Sequence, residues 1–274
     1  MTIFQSILLG IIQGLTEFLP ISSSAHLVLF PYLLNWDIPI SQAFIFDVLV
    51  QVATLVGVVA YFWRDLTAII SGVLKGLWRR RPLGDPYARL GWLLLLACLP
   101  AGVLGLAIKD VVEKTFDSPL ATAFFLFGTA ILMVIAERWG KRSRSFEQIN
   151  WLDALWIGLF QMLALFPGLS RSGATISGGM LRHLERPPAA RFSFLLSVPI
   201  MLAAGVVALI DLIQAPNLDI LLPVFIPGFI ASAVVGYLAI RWLLGYLARR
   251  SLYIFSIYCT VLAIITLVVY SVRG

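Results

Sequence analysis

The first residues that could do chemistry lie in the apolar N-terminal stretch of the chain. Gln13 and Glu17 are four residues apart, so they project from one face of a helix. A carboxylate in an apolar segment costs about 2.5–3.5 kcal/mol on membrane-insertion scales and indicates a function, although a purely structural Glu17 bonded between helices is the alternative. Polar residues follow directly: Ser22, Ser23, Ser24 and His26. Serine at a helix start leaves free N–H donors nearby, which predicts an anion site.

A second polar cluster surrounds Arg171 in another apolar region. Arginine carries a permanent charge and a planar fork of N–H donors that matches phosphate. Hydroxyls and a glycine accompany it: Ser170, Ser172, Gly173 and Thr175. The cluster therefore predicts a phosphate-binding turn at membrane depth. The alternative is that Arg171 only pairs with Glu17 and fixes the two segments together.

Together the two clusters favour metal-assisted phosphoryl transfer on a lipid diphosphate. Mg²⁺ is usually held by one or two carboxylates together with substrate phosphates. A divalent cation, Mg²⁺ or Ca²⁺, would thus be bridged between Glu17 and the substrate, with Gln13 as a further ligand. The substrate must itself reach the membrane, which indicates a lipid diphosphate.

Composition places the chain in a membrane. Hydrophobic residues make up 60% of it and charged residues 12%, and the mean hydropathy is +0.96. Such a chain has too little polar surface for a water-soluble globule. The net charge of +6 falls in short loops, which argues against nucleic acid as a partner. Cys98 and Cys259 lie in apolar runs and indicate neither a disulfide framework nor a metal cluster.

The hydrophobic pattern predicts an all-α polytopic protein with one integral membrane domain, 1–274. A helix needs about 20 apolar residues to cross the bilayer. Six stretches qualify: 43–63, 89–109, 119–136, 191–212, 220–244 and 252–271. Two further regions, 1–34 and 150–181, are broken by polar turns and are predicted to be re-entrant helical hairpins whose tips line a site. A pair of kinked full spans is the alternative.

The chain also carries an internal repeat at a shift of 148 residues. The shift aligns Gly10 with Gly158 and Gln13 with Gln161, and it carries the segment 57–60 onto 205–208 with an identical sequence. Repeat 1 covers about 1–137 and repeat 2 about 150–272. Each half holds one hairpin and three spans, an odd number, so the halves are predicted to have inverted topology.

Basic residues predict the orientation. Sixteen of the twenty Lys and Arg residues fall in four segments, namely 64–89, 138–144, 182–191 and 241–250. The six-span arrangement places these loops on one face, which the positive-inside rule makes cytoplasmic. Both termini and the first hairpin's entrance are then outside. The N-terminus lacks a basic leader and is expected to be retained.

The two polar motifs resemble those of the undecaprenyl-diphosphate phosphatases, the bacitracin-resistance protein family. The similar segments are QGLTEFLPISSSAH (13–26) and PGLSRSGAT (167–175), and the resemblance extends over the whole chain, including FDVLVQ (46–51). It implies dephosphorylation of undecaprenyl diphosphate to the carrier lipid of peptidoglycan synthesis, with a divalent cation and a site open to the outer face of the bacterial inner membrane. It also implies that Glu17, Ser23, His26 and Arg171 are functional. Gln13 stands where many members have a second Glu.

Several roles remain open at this point. Ser23 is the candidate nucleophile with His26 as base or acid, and the rival assignment makes His26 the nucleophile. The predicted phosphate-binding groups are Ser22, Ser24, Ser170, Ser172, Gly173 and Thr175. Asp47 and Gln51, four apart in a span, are predicted to support the first hairpin or to satisfy one another.

A different class of function also fits an inverted repeat. Paired hairpins in inverted halves are typical of transporters, so a lipid-phosphate flippase or an anion carrier is the alternative function. A catalytically silent sensor is a third. The expected partners are the lipid substrate and membrane lipids. A homodimer formed with a second copy of the chain is also considered.

Overall fold

The computed structural model describes residues 1–108, 115, 118–213 and 218–273. The described residues form eleven α-helices and one short 3₁₀ turn, with no β-strand among them. The helices are α1 (Ile3–Phe18), α2 (Ser23–Leu33), α3 (Ile40–Tyr61), α4 (Trp63–Trp78), α5 (Pro86–Ala107), α6 (Pro119–Trp139), α7 (Trp151–Leu163), α8 (Arg171–Leu181), α9 (Arg186–Ile213), α10 (Leu218–Leu247) and α11 (Tyr253–Arg273). The prediction of an all-α polytopic membrane protein is confirmed.

Five helices in the described part of the chain are long and apolar enough to cross a membrane. Their spanning segments are Gln42–Tyr61, Pro86–Gly105, Pro119–Trp139, Leu221–Leu247 and Tyr253–Arg273. The remaining predicted span, 191–212, lies within α9, a helix of 28 residues. The end of the predicted span 89–109 lies outside the described residues. Large apolar side chains are exposed on these helices, for example Val103 (69%) and Ile257 (63%), as expected for contact with lipid.

The segment 64–89 is not the loop that its charges predicted. Residues 63–78 form α4, and α5 begins at Pro86 behind the N-cap Asp85, whose side chain accepts hydrogen bonds from two backbone N–H groups. The charges of α4 suit a helix, because acidic Asp65 lies in the first turn and basic Lys75 in the last. Counting charges along the sequence could not distinguish a loop from an amphipathic helix.

Both interrupted regions are pairs of half-length helices around a turn. In the first, α1 and α2 are joined at 19–22; in the second, α7 and α8 are joined at 164–170. Helix α2 and helix α8 begin 148 residues apart and also end 148 residues apart, in agreement with the shift that aligns the two halves of the sequence. The turn before α8 contains Gly168 at φ +100°, a conformation that favours glycine.

The two hairpins pack on equivalent partners. Helix α1 packs against α10, with Gly10 directly on the backbone of Gly228. Helix α7 packs against α5, and a Cβ at Gly158 would lie 2.5 Å from the carbonyl oxygen of Ala97. Gly10 and Gly158 are the residues that the 148-residue shift aligns. A side chain at either position would separate two helices, so close packing explains both glycines.

Buried carboxylates hold the opposite end of the bundle, away from the hairpin tips. Glu137 of α6 accepts two hydrogen bonds from Arg186 (2.7 and 2.6 Å), one from Arg142 (2.8 Å) and one from the backbone N–H of Leu252 (2.7 Å). Its side chain is 1% exposed. Glu137 therefore joins α6 to the starts of α9 and α11.

A second carboxylate, Asp153 at the start of α7, has a similar role. It binds Arg144 through both carboxylate oxygens (2.9 and 2.6 Å) and Arg182 at 2.8 Å. The hydrogen bonds and charge of Asp153 raise the pKa of Arg144 above its usual value. The second hairpin is thereby fixed to the segment that precedes it.

Candidate active site

The tips of the two hairpins meet. Arg171 Nη2 donates to Glu17 Oε1 at 2.8 Å, and Ser172 Oγ donates to the carbonyl oxygen of Leu19 at 2.9 Å. Arg171 and Ser172 are the first residues of α8, whereas Glu17 and Leu19 end α1 and begin its turn. The two motifs that the sequence singled out therefore form one site, assembled from both halves of the chain.

Glu17 is the centre of this site. Its side chain is 6% exposed. Oε2 accepts hydrogen bonds from Gln13 Nε2 (2.9 Å) and Ser23 Oγ (2.6 Å), while Oε1 accepts from Arg171. The predicted one-face arrangement of Gln13 and Glu17 is confirmed by their direct contact. A buried carboxylate with three donors is well compensated, which explains how it is tolerated in an apolar bundle.

Ser23 and His26 do not form the predicted pair. Ser23 is the first residue of α2, and its hydroxyl turns back to Glu17. His26 Nδ1 lies 2.7 Å from the carbonyl oxygen of Ser22, and His26 Nε2 lies 2.7 Å from Tyr258 Oη. Because a carbonyl only accepts, Nδ1 must carry a proton, and Nε2 of a neutral imidazole then accepts from the tyrosine. Spacing by three residues put both groups on one face, but the helix start directs Ser23 elsewhere.

Tyr258 is a site residue that the sequence did not indicate. Its ring is parallel to that of His26, with an interplanar angle of 3° and centroids 5.6 Å apart. It lies in α11, 232 residues from His26, and the residue is 40% exposed. A single tyrosine in an apolar span carries no pattern that links it to a distant histidine. Only the packing of α11 beside α2 reveals the contact.

The hydroxyls of the second tip are engaged within the protein. Ser170 caps α8 by accepting from the N–H of Gly173 at 3.0 Å, and it lies 3.1 Å from the hydroxyl of Ser172. Thr175 Oγ1 donates to the carbonyl oxygen of Arg171 at 2.7 Å and lies 2.6 Å from Ser193 Oγ. These buried groups shape the turn. Thr175 is therefore a support of the Arg171 backbone in this state, and Ser193 is a partner that the sequence did not indicate.

The turn of the second tip is also held by α6. Thr129 Oγ1 donates to the carbonyl oxygen of Gly168 (2.8 Å) and accepts from the N–H of Ser170 (2.9 Å). Thr129 is fully buried at 1% exposure and was not indicated by the sequence. Its hydroxyl bonds backbone groups that the interruption between α7 and α8 leaves without helix hydrogen bonds.

The first tip presents two partly exposed hydroxyls, those of Ser23 and Ser24. Ser22 is the N-cap of α2 with φ 68°, and its hydroxyl accepts weakly from the N–H of Ala25 (3.4 Å) and lies 3.2 Å from that of Ser24. Ser23 and Ser24 are only half-buried. Helix α2 and helix α8 both begin at the junction of the tips, so the positive ends of two helix dipoles converge there. This arrangement suits a multiply charged anion.

Asp47 and Gln51 do not support the first hairpin as predicted. Both side chains are exposed, and among the described residues neither forms a hydrogen bond with the other or with the hairpin. The backbone carbonyl of Gln51 accepts from Thr54, but that is a bond within α3. The prediction that these side chains satisfy one another is therefore wrong.

The site can accommodate a divalent cation only with help from a substrate. Among the described residues no group of three or more His, Cys, Asp or Glu side chains could hold a metal. However, Gln13 Oε1 is buried beside Glu17 and has no hydrogen-bond donor. A free amide oxygen next to a carboxylate is a ligand pair that Mg²⁺ or Ca²⁺ accepts when phosphate oxygens complete the shell. The residues present therefore fit the predicted cation.

Comparison with known proteins agrees with this site. The profile of the family "Bacitracin resistance protein BacA" matches residues 6–265. The undecaprenyl-diphosphatase of Chlorobium phaeovibrioides is 44% identical, over 99% of this chain and 98% of its own length. Those of Thermomicrobium roseum (41%, covering 99% of each chain) and Moorella thermoacetica (43%, covering 100% of each) are similar over the same extent. The chain therefore belongs to the bacitracin resistance protein BacA family.

Proposed function

We propose that this chain is a membrane phosphatase that hydrolyses undecaprenyl diphosphate to undecaprenyl phosphate and inorganic phosphate, and so recycles the carrier lipid of peptidoglycan synthesis. The observation that carries the proposal is the meeting of the hairpin tips, where Glu17 binds both Arg171 and Ser23. Relatives that match nearly the whole chain are named undecaprenyl-diphosphatase, which supports the substrate. Those names do not favour the flippase or carrier alternative.

Ser23 is the proposed nucleophile and Glu17 the group that receives its proton. The 2.6 Å hydrogen bond from Ser23 Oγ to Glu17 Oε2 supports this pairing. Ser23 Oγ attacks the terminal phosphorus and its proton passes to Glu17. The bond between that phosphorus and the bridging oxygen breaks, and the lipid monophosphate leaves. Water then attacks the phosphorus of the phosphoserine, the bond from that phosphorus to Ser23 Oγ breaks, Glu17 returns its proton to Ser23 Oγ, and inorganic phosphate leaves.

His26 is proposed to orient the first tip. Both of its ring nitrogens are engaged, one by the carbonyl of Ser22 and the other by the hydroxyl of Tyr258. The rival role as nucleophile would require His26 to leave Tyr258, so the hydrogen bonds favour Ser23. His26 and Tyr258 together hold the start of α2, and with it the hydroxyl of Ser23, in place.

Arg171 is proposed to stabilise charge on the transferred phosphoryl group. Of its five N–H donors, one is used on Glu17 among the described contacts, which leaves the rest for phosphate oxygens. Ser22, Ser24 and the free N–H groups at the start of α2 supply further donors, whereas Ser170, Ser172 and Gly173 shape the second tip. A divalent cation held by Glu17 and Gln13 would neutralise part of the diphosphate charge.

The proposed membrane arrangement has six spans and two re-entrant hairpins in an inverted repeat. The matching bounds of α2 and α8 support it, as do the equivalent contacts of Gly10 and Gly158. Basic residues gather at the end of the bundle that Glu137 and Asp153 hold, which supports a cytoplasmic location for that end. The site would then open to the outer face of the bacterial inner membrane.

Phosphate release from purified protein tests the function. We expect the protein in detergent to release inorganic phosphate from undecaprenyl diphosphate when Mg²⁺ or Ca²⁺ is present. Removal of the cation with EDTA should abolish release, and Ser23→Ala should reduce it by about 10³-fold or more if Ser23 is the nucleophile. If folded wild-type protein releases no phosphate with either metal, the phosphatase proposal fails and the carrier alternative replaces it.

A further inference from the structure

The exposed side chains on the first half of α3 form a single row along the helix, which is called the file below. Phe44, Asp47 and Gln51 are three and four residues apart, so they lie above one another on one face. Phe44 is 54% exposed, and Asp47 and Gln51 are exposed as well. Most residues between them are buried, with Phe46 and Val50 at 0%, and Leu49 is half-buried. In this half of α3, an exposed stripe one residue wide between buried residues indicates a cleft.

Deeper along α3 the same file becomes fully buried. Thr54 and Val58, three and seven residues after Gln51, are both 0% exposed, and Leu55 is 8% exposed. A stripe that faced lipid would stay exposed along the helix. The exposed residues Val56 and Ala60 lie on a different face and continue to the end of α3. The cleft beside Asp47 therefore has a floor within the protein, one turn below Gln51.

The floor of the cleft is continuous with the hydrophobic core that contains the active-site hairpin. Leu55 and Val58 pack in the same cluster as Phe18, Ile21 and Ala25, which flank Glu17, Ser22 and His26 in the sequence. Val48, beside Asp47, belongs to a second cluster with Leu27 and Phe30 of α2. The file of Phe44, Asp47 and Gln51 thus borders the clusters that pack against the first hairpin.

A charge without a partner in a spanning segment needs water or a ligand. Asp47 lies in the span Gln42–Tyr61 and has no ion pair among the described residues. Such a carboxylate is tolerated when it faces a watery cavity, and then commonly serves the path of an ion or substrate. Gln51 places an amide four residues away on the same face, repeating the carboxylate and amide spacing of Glu17 and Gln13.

We propose that this file is the wall of a water-filled entrance to the active site, and that Asp47 with Gln51 binds the divalent cation that accompanies the incoming diphosphate. The inference rests on the proposed function. A bare diphosphate would meet the negative charges of Asp47 and Glu17 in sequence, whereas the same head group with its cation is attracted by Asp47. Mg²⁺ keeps most of its waters and binds through one or two protein oxygens, so two side chains are a sufficient site.

Cysteine accessibility tests the entrance. In a Cys98→Ala, Cys259→Ala background, we expect Asp47→Cys and Gln51→Cys to react with a charged, membrane-impermeant thiol reagent in proteoliposomes. Val56→Cys, exposed on the other face of α3, is the control and should react at least 10-fold more slowly. Equal reactivity of all three positions, or no reaction at 47 and 51, would overturn the entrance.

Cation binding tests the role of Asp47 without any turnover. Mn²⁺ is titrated by electron paramagnetic resonance into protein in phosphatidylcholine nanodiscs. We expect Asp47→Asn to raise the half-saturating Mn²⁺ concentration about 10-fold. Asp37→Asn removes the same charge from an exposed position just before α3 and should leave it unchanged. Equal effects of both substitutions, or none at Asp47, would overturn the cation site. Failure of the phosphatase reaction itself would appear separately, as absent phosphate release by wild-type protein.

Discussion

Substitution of Arg171 by lysine separates a catalytic from a structural role. In the structure Arg171 donates to Glu17 at 2.8 Å and its side chain is 18% exposed. Lysine can keep that single contact and the charge, but its one nitrogen cannot hold Glu17 and two phosphate oxygens in the planar geometry of a guanidinium. Loss of one donor to a developing anion typically costs about 10²–10³-fold in rate, or about 2.7–4 kcal/mol. We therefore expect Arg171→Lys to lower kcat at least about 10²-fold.

The assay combines turnover with folding. Phosphate release is measured over a range of undecaprenyl diphosphate concentrations, and thermal unfolding is followed in the same detergent. Arg171→Lys should unfold within a few degrees of wild type, because the contact with Glu17 is retained. Arg89→Lys is the matched control, since Arg89 also makes one side-chain hydrogen bond, to the carbonyl of Ile149 at 3.0 Å, but far from the tips in the chain. Its activity should stay within about 3-fold of wild type.

One pattern of results would refute this reasoning. If Arg171→Lys keeps nearly full turnover while Arg171→Ala fails to fold, Arg171 is only the partner of Glu17. If only KM rises and kcat is preserved, Arg171 holds the substrate without stabilising the transition state.

Three further predictions address other parts of the molecule. Tyr258→Phe removes only the hydroxyl bound to His26, so we expect kcat to fall about 10-fold with KM unchanged, whereas unchanged kinetics would exclude a positioning role. Glu137→Gln leaves Arg142 and Arg186 without their ion pair, and it should lower the free energy of unfolding by about 2–3 kcal/mol. This loss is smaller than for a fully buried pair because both arginines are partly exposed. An unaltered melting temperature would contradict this prediction. Ile3→Cys and Val272→Cys should react with an impermeant thiol reagent from outside the cell and Arg80→Cys should not, and labelling of position 80 alone would reverse the proposed orientation.

The sequence predicted the membrane class and the two interrupted regions, because each depends on local composition, and it offered the pairing of Glu17 with Arg171 as an alternative. A glutamate and an arginine in apolar segments are costly unless they meet, so Glu17 and Arg171 could be brought together without coordinates. The partner of Ser23 could not be predicted, since it depends on where α2 begins. Tyr258, Thr129 and Ser193 were missed because their hydroxyls reach the site from other helices, and such contacts leave no periodic pattern. The homodimer stays a prediction.

The distance along the chain between Glu17 and Arg171 also has a consequence for biogenesis. They are 154 residues apart, and a ribosome adds about 5–20 residues per second, so the carboxylate is synthesised about 8–30 s before the guanidinium. During that interval the nascent first hairpin has no permanent cation to compensate Glu17. The cost of that charge in an apolar segment must then be met by water at the membrane surface. The second hairpin supplies Arg171, so the first hairpin can reach its final packing only after the second has been inserted. The order of translation therefore affects how the two halves assemble.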